Sequence, residues 1–166
     1  MKIKNDEFHN YLRMSPIDMS QMLCADPGIT ACRNDLGETL LHWWAIEFDL
    51  KWVKLYFENR SDLNTKNDFD GTPLMDVCGI KSNEVALGLM DLGADIDFIN
   101  SNQESALSKS ADSESLLMVK ILVGKIKRPI QDYFNAVSAN LILSESNDTS
   151  IFLKNCGLID PWLEQP

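Results

Sequence analysis

The chain has 166 residues and 45% hydrophobic content, enough for a sizeable core of ordinary globular composition. A formal net charge of −10 argues against nucleic acid as a partner, because phosphate contacts need a basic stripe. No apolar run approaches the ~20 residues of a membrane span. Met1-Lys2-Ile3-Lys4-Asn5-Asp6 turns acidic with no hydrophobic segment behind it, so no membrane and a cytoplasmic location are expected.

In chain order, Ile17-Asp18-Met19-Ser20-Gln21-Met22-Leu23-Cys24 is expected as the second helix of an N-terminal unit, with Met19 one 33-residue step before Trp52 and Cys24 at a core position. The turn Asn34-Asp35-Leu36-Gly37 follows, built of residues that bond their own backbone or tolerate unusual dihedrals. Thr39 stands at a helix N-cap, where its hydroxyl can accept an orphan backbone N–H. The short helix after it carries Leu41 and Ala45 inward, and Lys51–Phe57 forms a second, more apolar helix. The same order then returns. Asn67-Asp68-Phe69-Asp70 is a turn, Thr72 a cap, Pro73 the first helical residue, Leu74 and Cys78 the inward pair, and Glu84–Met90 the second helix. Gly93-Ala94-Asp95-Ile96 carries a glycine helix-end signal. A third copy runs Asn100-Ser101-Asn102-Gln103, Ser105, Leu107 with Ala111, and Leu117–Val123. The step between copies is 33 residues, and a fixed period of this length means one supersecondary unit stacked on copies of itself.

This pattern resembles the ankyrin repeat, whose motif runs Gly-x-Thr-Pro-Leu-His, a small-residue helix, Glu-Ile-Val-x-Leu-Leu-Leu, and Gly-Ala-Asp-Val-Asn. The matching residues are Gly37-Glu38-Thr39-Leu40-Leu41-His42, Thr72-Pro73-Leu74, Glu84-Val85-Ala86 and Gly93-Ala94-Asp95-Ile96-Asp97, with Asp62-Leu63-Asn64 repeating the tail one period earlier. The resemblance covers 34–126. It implies an all-α solenoid of stacked helix-turn-helix units: repeats at 34–66, 67–99 and 100–128, and degenerate caps at 1–33 and 129–166. It also implies that His42 bonds neighbouring loop backbone. The departures are Trp44 at an alanine position, Arg60 at a glycine, Met75 and Ser108 at the histidine, and Lys125–Ile130 in place of the Gly-Ala-Asp ending.

Catalytic and metal chemistry find little support. Four cysteines with no C-x-x-C and only two histidines build no zinc spacing, so Cys24, Cys32, Cys78 and Cys156 are expected as buried free thiols. Asp68-Phe69-Asp70-Gly71 fails as a calcium loop, with Lys66 and Val77 at the first and last ligand positions. Asn59-Arg60-Ser61 and Asn147-Asp148-Thr149 match the glycosylation sequon but lack a secretory context. There is no G-x-S-x-G and no P-loop. The chain is expected to be no enzyme and to need no metal or cofactor.

A stacked-repeat chain offers instead a long surface for another protein. The turn tips present Asp35, Leu36 and Glu38, then Asp68 and Phe69. The first helices present Trp43 and Glu47, then Asp76 and Ile80, then Asp112. Trp43, Asp76 and Lys109, one period apart, are expected in a row. Large apolar groups among carboxylates have the composition of an interface hot spot, with Trp43 either such an anchor or packed under the N-terminal cap. The acidic balance would steer a basic partner. In architecture and charge the chain is similar to ankyrin-like bacterial immunity proteins, which implies a monomer that binds and inhibits a basic toxin or effector enzyme. A general adaptor or a host-directed effector is the alternative. Tyr133, Phe134, Ile151, Phe152 and Trp162 are assigned to the core of the C-terminal cap. Lys120, Lys125, Lys127 and Arg128 are assigned to a solvated helix end.

Overall fold

The computed structural model describes residues 2–47, 50–59 and 61–158. It is all-α, with ten helices among these residues: α1 (Asn5–Leu12), α2 (Pro16–Ala25), α3 (Leu40–Glu47), α4 (Leu50–Glu58), α5 (Pro73–Gly79), α6 (Asn83–Asp91), α7 (Ala106–Asp112), α8 (Leu116–Val123), α9 (Ala136–Ser144) and α10 (Asp148–Asn155). Short 3-10 turns occupy Pro27–Ala31 and Ile130–Tyr133. Among the described residues, extended backbone pairs only in isolated bridges: Lys2 with Arg33, Arg33 with Thr39, and Ile99 with Ser105. The 33-residue step reappears in the helix starts, at Leu40, Pro73 and Ala106 for one set and Leu50, Asn83 and Leu116 for the other. Arg60 and Trp162 lie outside the described residues.

One asparagine organises each loop between helix pairs. The side-chain Oδ1 of Asn34 accepts from the N–H groups of Leu36 and Glu38, that of Asn67 from Phe69 and Gly71, and that of Asn100 from Asn102 and Glu104, all at 2.8–3.0 Å. Backbone groups that a turn would leave orphaned are thereby satisfied. Each turn also needs one left-handed residue at the same phase, Gly37 (φ 73°), Asp70 (60°) and Gln103 (56°). Only the first copy uses glycine, which takes this conformation without steric cost.

The inward pairs are buried as expected: Leu41 and Ala45, Leu74 and Cys78, Leu107 and Ala111. The helix caps divide. Ser105 accepts from the Ser108 N–H at 3.1 Å within a reciprocal capping box, and Thr72 accepts from the Met75 N–H at 3.4 Å. The Thr39 hydroxyl instead faces His42 Nδ1 at 2.9 Å. Trp44 is fully buried opposite the aromatic side chains of α4. Its ring stacks on Trp52 at 4.8 Å and meets the edge of Tyr56 at 5.1 Å.

The chain divides into two compact units, Met1–Val77 with Glu84–Asp95, and Cys78–Asn83 with Ile96–Pro166. In the first, α3 packs on α1 and α4, and α2 on α4. Gly88 of α6 lies so near Leu50 that a Cβ would sit 2.0 Å from its Cδ1, which accounts for a glycine inside a helix. In the second unit α7 packs on α8 and α9, and α10 on α8 and α9. Tyr133 anchors the start of this cap. Its hydroxyl donates to Asp97, whose carboxylate also accepts from the Lys127 N–H at 3.0 Å.

Two assignments change. Cys24 is exposed, because α2 turns Met19 and Leu23 inward and leaves Cys24 on the far side; Cys156 is half-buried, and only Cys32 and Cys78 are enclosed. Ile151 is exposed rather than part of the cap core, while Tyr133 and Phe134 are buried. Asn147 caps α10 by accepting from Ser150 N–H at 2.8 Å, and Asn59 donates to the Leu55 carbonyl, so both sequon asparagines have structural roles.

Candidate interaction site

The first two loop tips lie side by side. The Asp68 N–H donates to the Leu36 carbonyl at 2.9 Å. This contact requires Gly37, where an added Cβ would stand 2.1 Å from Asp68 Oδ1 and 2.8 Å from its backbone nitrogen. Arg33 clamps the pair from beneath. Its guanidinium donates to the Gly37 carbonyl at 2.6 Å, to the Lys66 carbonyl, and to Thr65 Oγ1 at 2.9 Å. The chain start closes the group. Ile3 N–H donates to the Arg33 carbonyl at 2.9 Å, and Lys2 Nζ reaches Asp68 Oδ2 at 2.7 Å and the Asp35 carbonyl at 3.4 Å.

Two large apolar side chains remain in water on these tips, Leu36 at 48% and Phe69 at 65% exposure. They occupy the same phase one period apart, so the backbone bond between the loops holds them as neighbours. With Asp35 and Asp68 they form a cluster of expected site residues on adjacent loops. The surrounding unit is strongly acidic: Met1–Val77 and Glu84–Asp95 contain sixteen acidic and eight basic residues, against nine and seven in the remainder.

The other expected residues lie elsewhere or are engaged. Trp43 is half-buried against α1, with its ring 6.4 Å from Phe8 and 5.9 Å from His9, and its indole N–H donates to Glu38 Oε2 at 2.8 Å. Packing against α1 therefore describes Trp43 better than a free anchor does. Glu38 acts as a brace, because the same oxygen also accepts from Asn34 Nδ2 at 2.7 Å. Two periods on, Glu104 repeats the arrangement, accepting from Lys109 at 2.6 Å and Asn100 at 2.9 Å. Glu47 is exposed at the end of α3, and Asp76 is half-buried in α5. Ile80 and Asp112 are exposed and belong to the second unit.

His42 is structural. It is fully buried, and its Nε2–H donates to the Gly71 carbonyl at 3.2 Å, so Nδ1 carries no proton and accepts from the Thr39 N–H at 3.1 Å and the Thr39 hydroxyl. Burial lowers its pKa to about 4. The ring thus joins α3 to the next loop, and it is spent on that role.

Among the described residues no group of three histidine, cysteine or carboxylate side chains is placed to hold a metal, and no helix is long and apolar enough to cross a membrane. A cleft of about 350 Å³ is lined by Leu23, Cys24, Pro27, Thr30, Glu58 and Asn59. The Thr30 hydroxyl donates to the Pro27 carbonyl, and the Asn59 amide donates to the Leu55 carbonyl. Lys2 and Arg33 were not legible as site residues. Each acts across one or two whole periods, and neither belongs to a motif. Compared with family models and with curated proteins, the chain matches none.

Proposed function

We propose that this chain is an ankyrin-repeat solenoid that works by binding another protein, with repeats at 34–66, 67–99 and 100–128. Its most specific reading is a cytoplasmic immunity protein that covers and inhibits a basic toxin or effector enzyme. Helix starts that recur every 33 residues, one loop asparagine per copy and the His42 bond to the next loop support the repeat reading. The observation that carries the binding reading is the Leu36–Phe69 pair, held in water on adjacent tips of the more acidic unit. Exposed apolar groups inside a charged rim are what central anchors of interfaces look like. Trp43 is not needed as an anchor in this reading.

The test is co-expression with the protein encoded immediately upstream. The expected result is a stable complex and rescue of growth from that protein's toxicity. Rescue should be lost in a Leu36→Ala, Phe69→Ala double variant that keeps the wild-type helical spectrum. A complex that forms without suppressing any toxicity would favour the adaptor instead. Wild-type rescue by the double variant would remove the loop tips from the interface.

A further inference from the structure

Lys2 occupies the ground between the two loop tips, and its environment says what else could. Its ammonium meets the Asp68 carboxylate at 2.7 Å and the Asp35 carbonyl at 3.4 Å. Leu36 and Phe69, the residues that directly follow Asp35 and Asp68 in the chain, are 48% and 65% exposed. A carboxylate, an outward carbonyl and two apolar surfaces match a long basic side chain. Such a side chain lays its methylene stem on apolar area and places its charge at the far end. A cation next to an exposed aromatic ring gains further attraction.

The Lys2 contact is built to be given up. Both ends are about half exposed, with side-chain exposures of 55% for Lys2 and 50% for Asp68. Ion pairs of that kind contribute little net stability. The backbone is held independently, through Ile3 N–H on the Arg33 carbonyl and the buried Ile3 side chain. The Lys2 side chain can swing away without loosening the chain start. Charge complementarity acts at longer range too, since acidic residues outnumber basic ones two to one in this unit.

We infer that the Asp68–Leu36–Phe69 tip is a receptor for a lysine or arginine side chain of a basic partner, and that Lys2 is an internal stand-in which that side chain displaces. The inference rests on the loop tips being the interface. It adds the chemistry of the contact and makes Lys2 a competitor, so removing Lys2 should strengthen binding.

The experiment uses the full chain and an acetylated, amidated hexalysine peptide, followed by amide NMR shifts at low salt. The peptide should move the Leu36, Asp68 and Phe69 amides, and a hexaglutamate peptide should not. Lys2→Ala should tighten hexalysine binding about two- to fivefold, the range expected for release of an exposed ion pair. Lys54→Ala removes the same charge from an exposed position of α4 and should tighten it less. Asp68→Asn in the Lys2→Ala background should weaken binding again. If Lys2→Ala gains no more than Lys54→Ala while Phe69→Ala still weakens binding, the stand-in is refuted and the loop-tip interface survives. If Phe69→Ala leaves hexalysine binding unchanged and the tip amides stay still, both the receptor and the loop-tip interface fall.

Discussion

Acid should destabilise this protein well above the carboxylate range, and His42 should be the cause. In the folded chain the ring is neutral, with Nδ1 facing two donors from Thr39 and Nε2–H on the Gly71 carbonyl. Protonation would put a charge into a fully buried site and turn an acceptor toward donors. Burial accordingly holds the pKa at about 4, against 6.5 for the ordinary group. Between those two values the unfolded chain binds a proton that the folded chain refuses. Stability is therefore whole above pH 6.5, declines as pH falls below it, and levels off near pH 4. One pKa unit is worth about 1.4 kcal/mol, so the step from pH 7.5 to pH 5 should remove about 2 kcal/mol. Urea unfolding at the two pH values measures this directly. His42→Gln should start lower at pH 7.5, because the amide cannot reproduce both contacts, but should show little change down to pH 5. A wild-type loss under about 0.5 kcal/mol, or an NMR titration of His42 centred near its ordinary value, would refute the account.

Other perturbations probe the repeat geometry. Gly37→Ala should cost at least about 1–2 kcal/mol in urea unfolding from the left-handed backbone alone, and more because the methyl meets the Asp68 backbone; a neutral effect would mean the first two tips do not touch. Gln103→Gly at the equivalent position of the third copy should raise the unfolding midpoint, with a gain of about 0.5–1 kcal/mol, since a non-glycine residue there sits at φ 56° and makes the cost visible by its removal. Leu74→Ala should destabilise by about 2–5 kcal/mol, because the side chain is fully enclosed and leaves a cavity; a loss under about 1 kcal/mol would place the inward register elsewhere.

The helical class and the period were legible in the sequence because their causes are local. Turn residues, cap hydroxyls and apolar spacing act within a few positions, and the copies at Asn34, Asn67 and Asn100 reinforce one another. The inward pairs followed from the same register. Cys24 was misplaced because one period-matched position does not say which side of a helix end meets a neighbour. Trp43 stayed ambiguous for a related reason. An aromatic at a variable position can face water or a preceding helix, and only the arrival of Phe8 and His9 from α1 decides which. The tip cluster divides in the same way. Leu36 and Phe69 were readable as exposed apolar residues at matching phases, since a turn leaves few places to hide a side chain. That they stand together depends on the Leu36–Asp68 backbone bond, on Gly37 leaving room for it, and on Arg33 gripping both loops. Lys2 was beyond reach of sequence alone. It meets Asp68 across 66 positions, and an exposed ion pair at that separation follows from the path of the whole chain rather than from any pattern near either residue.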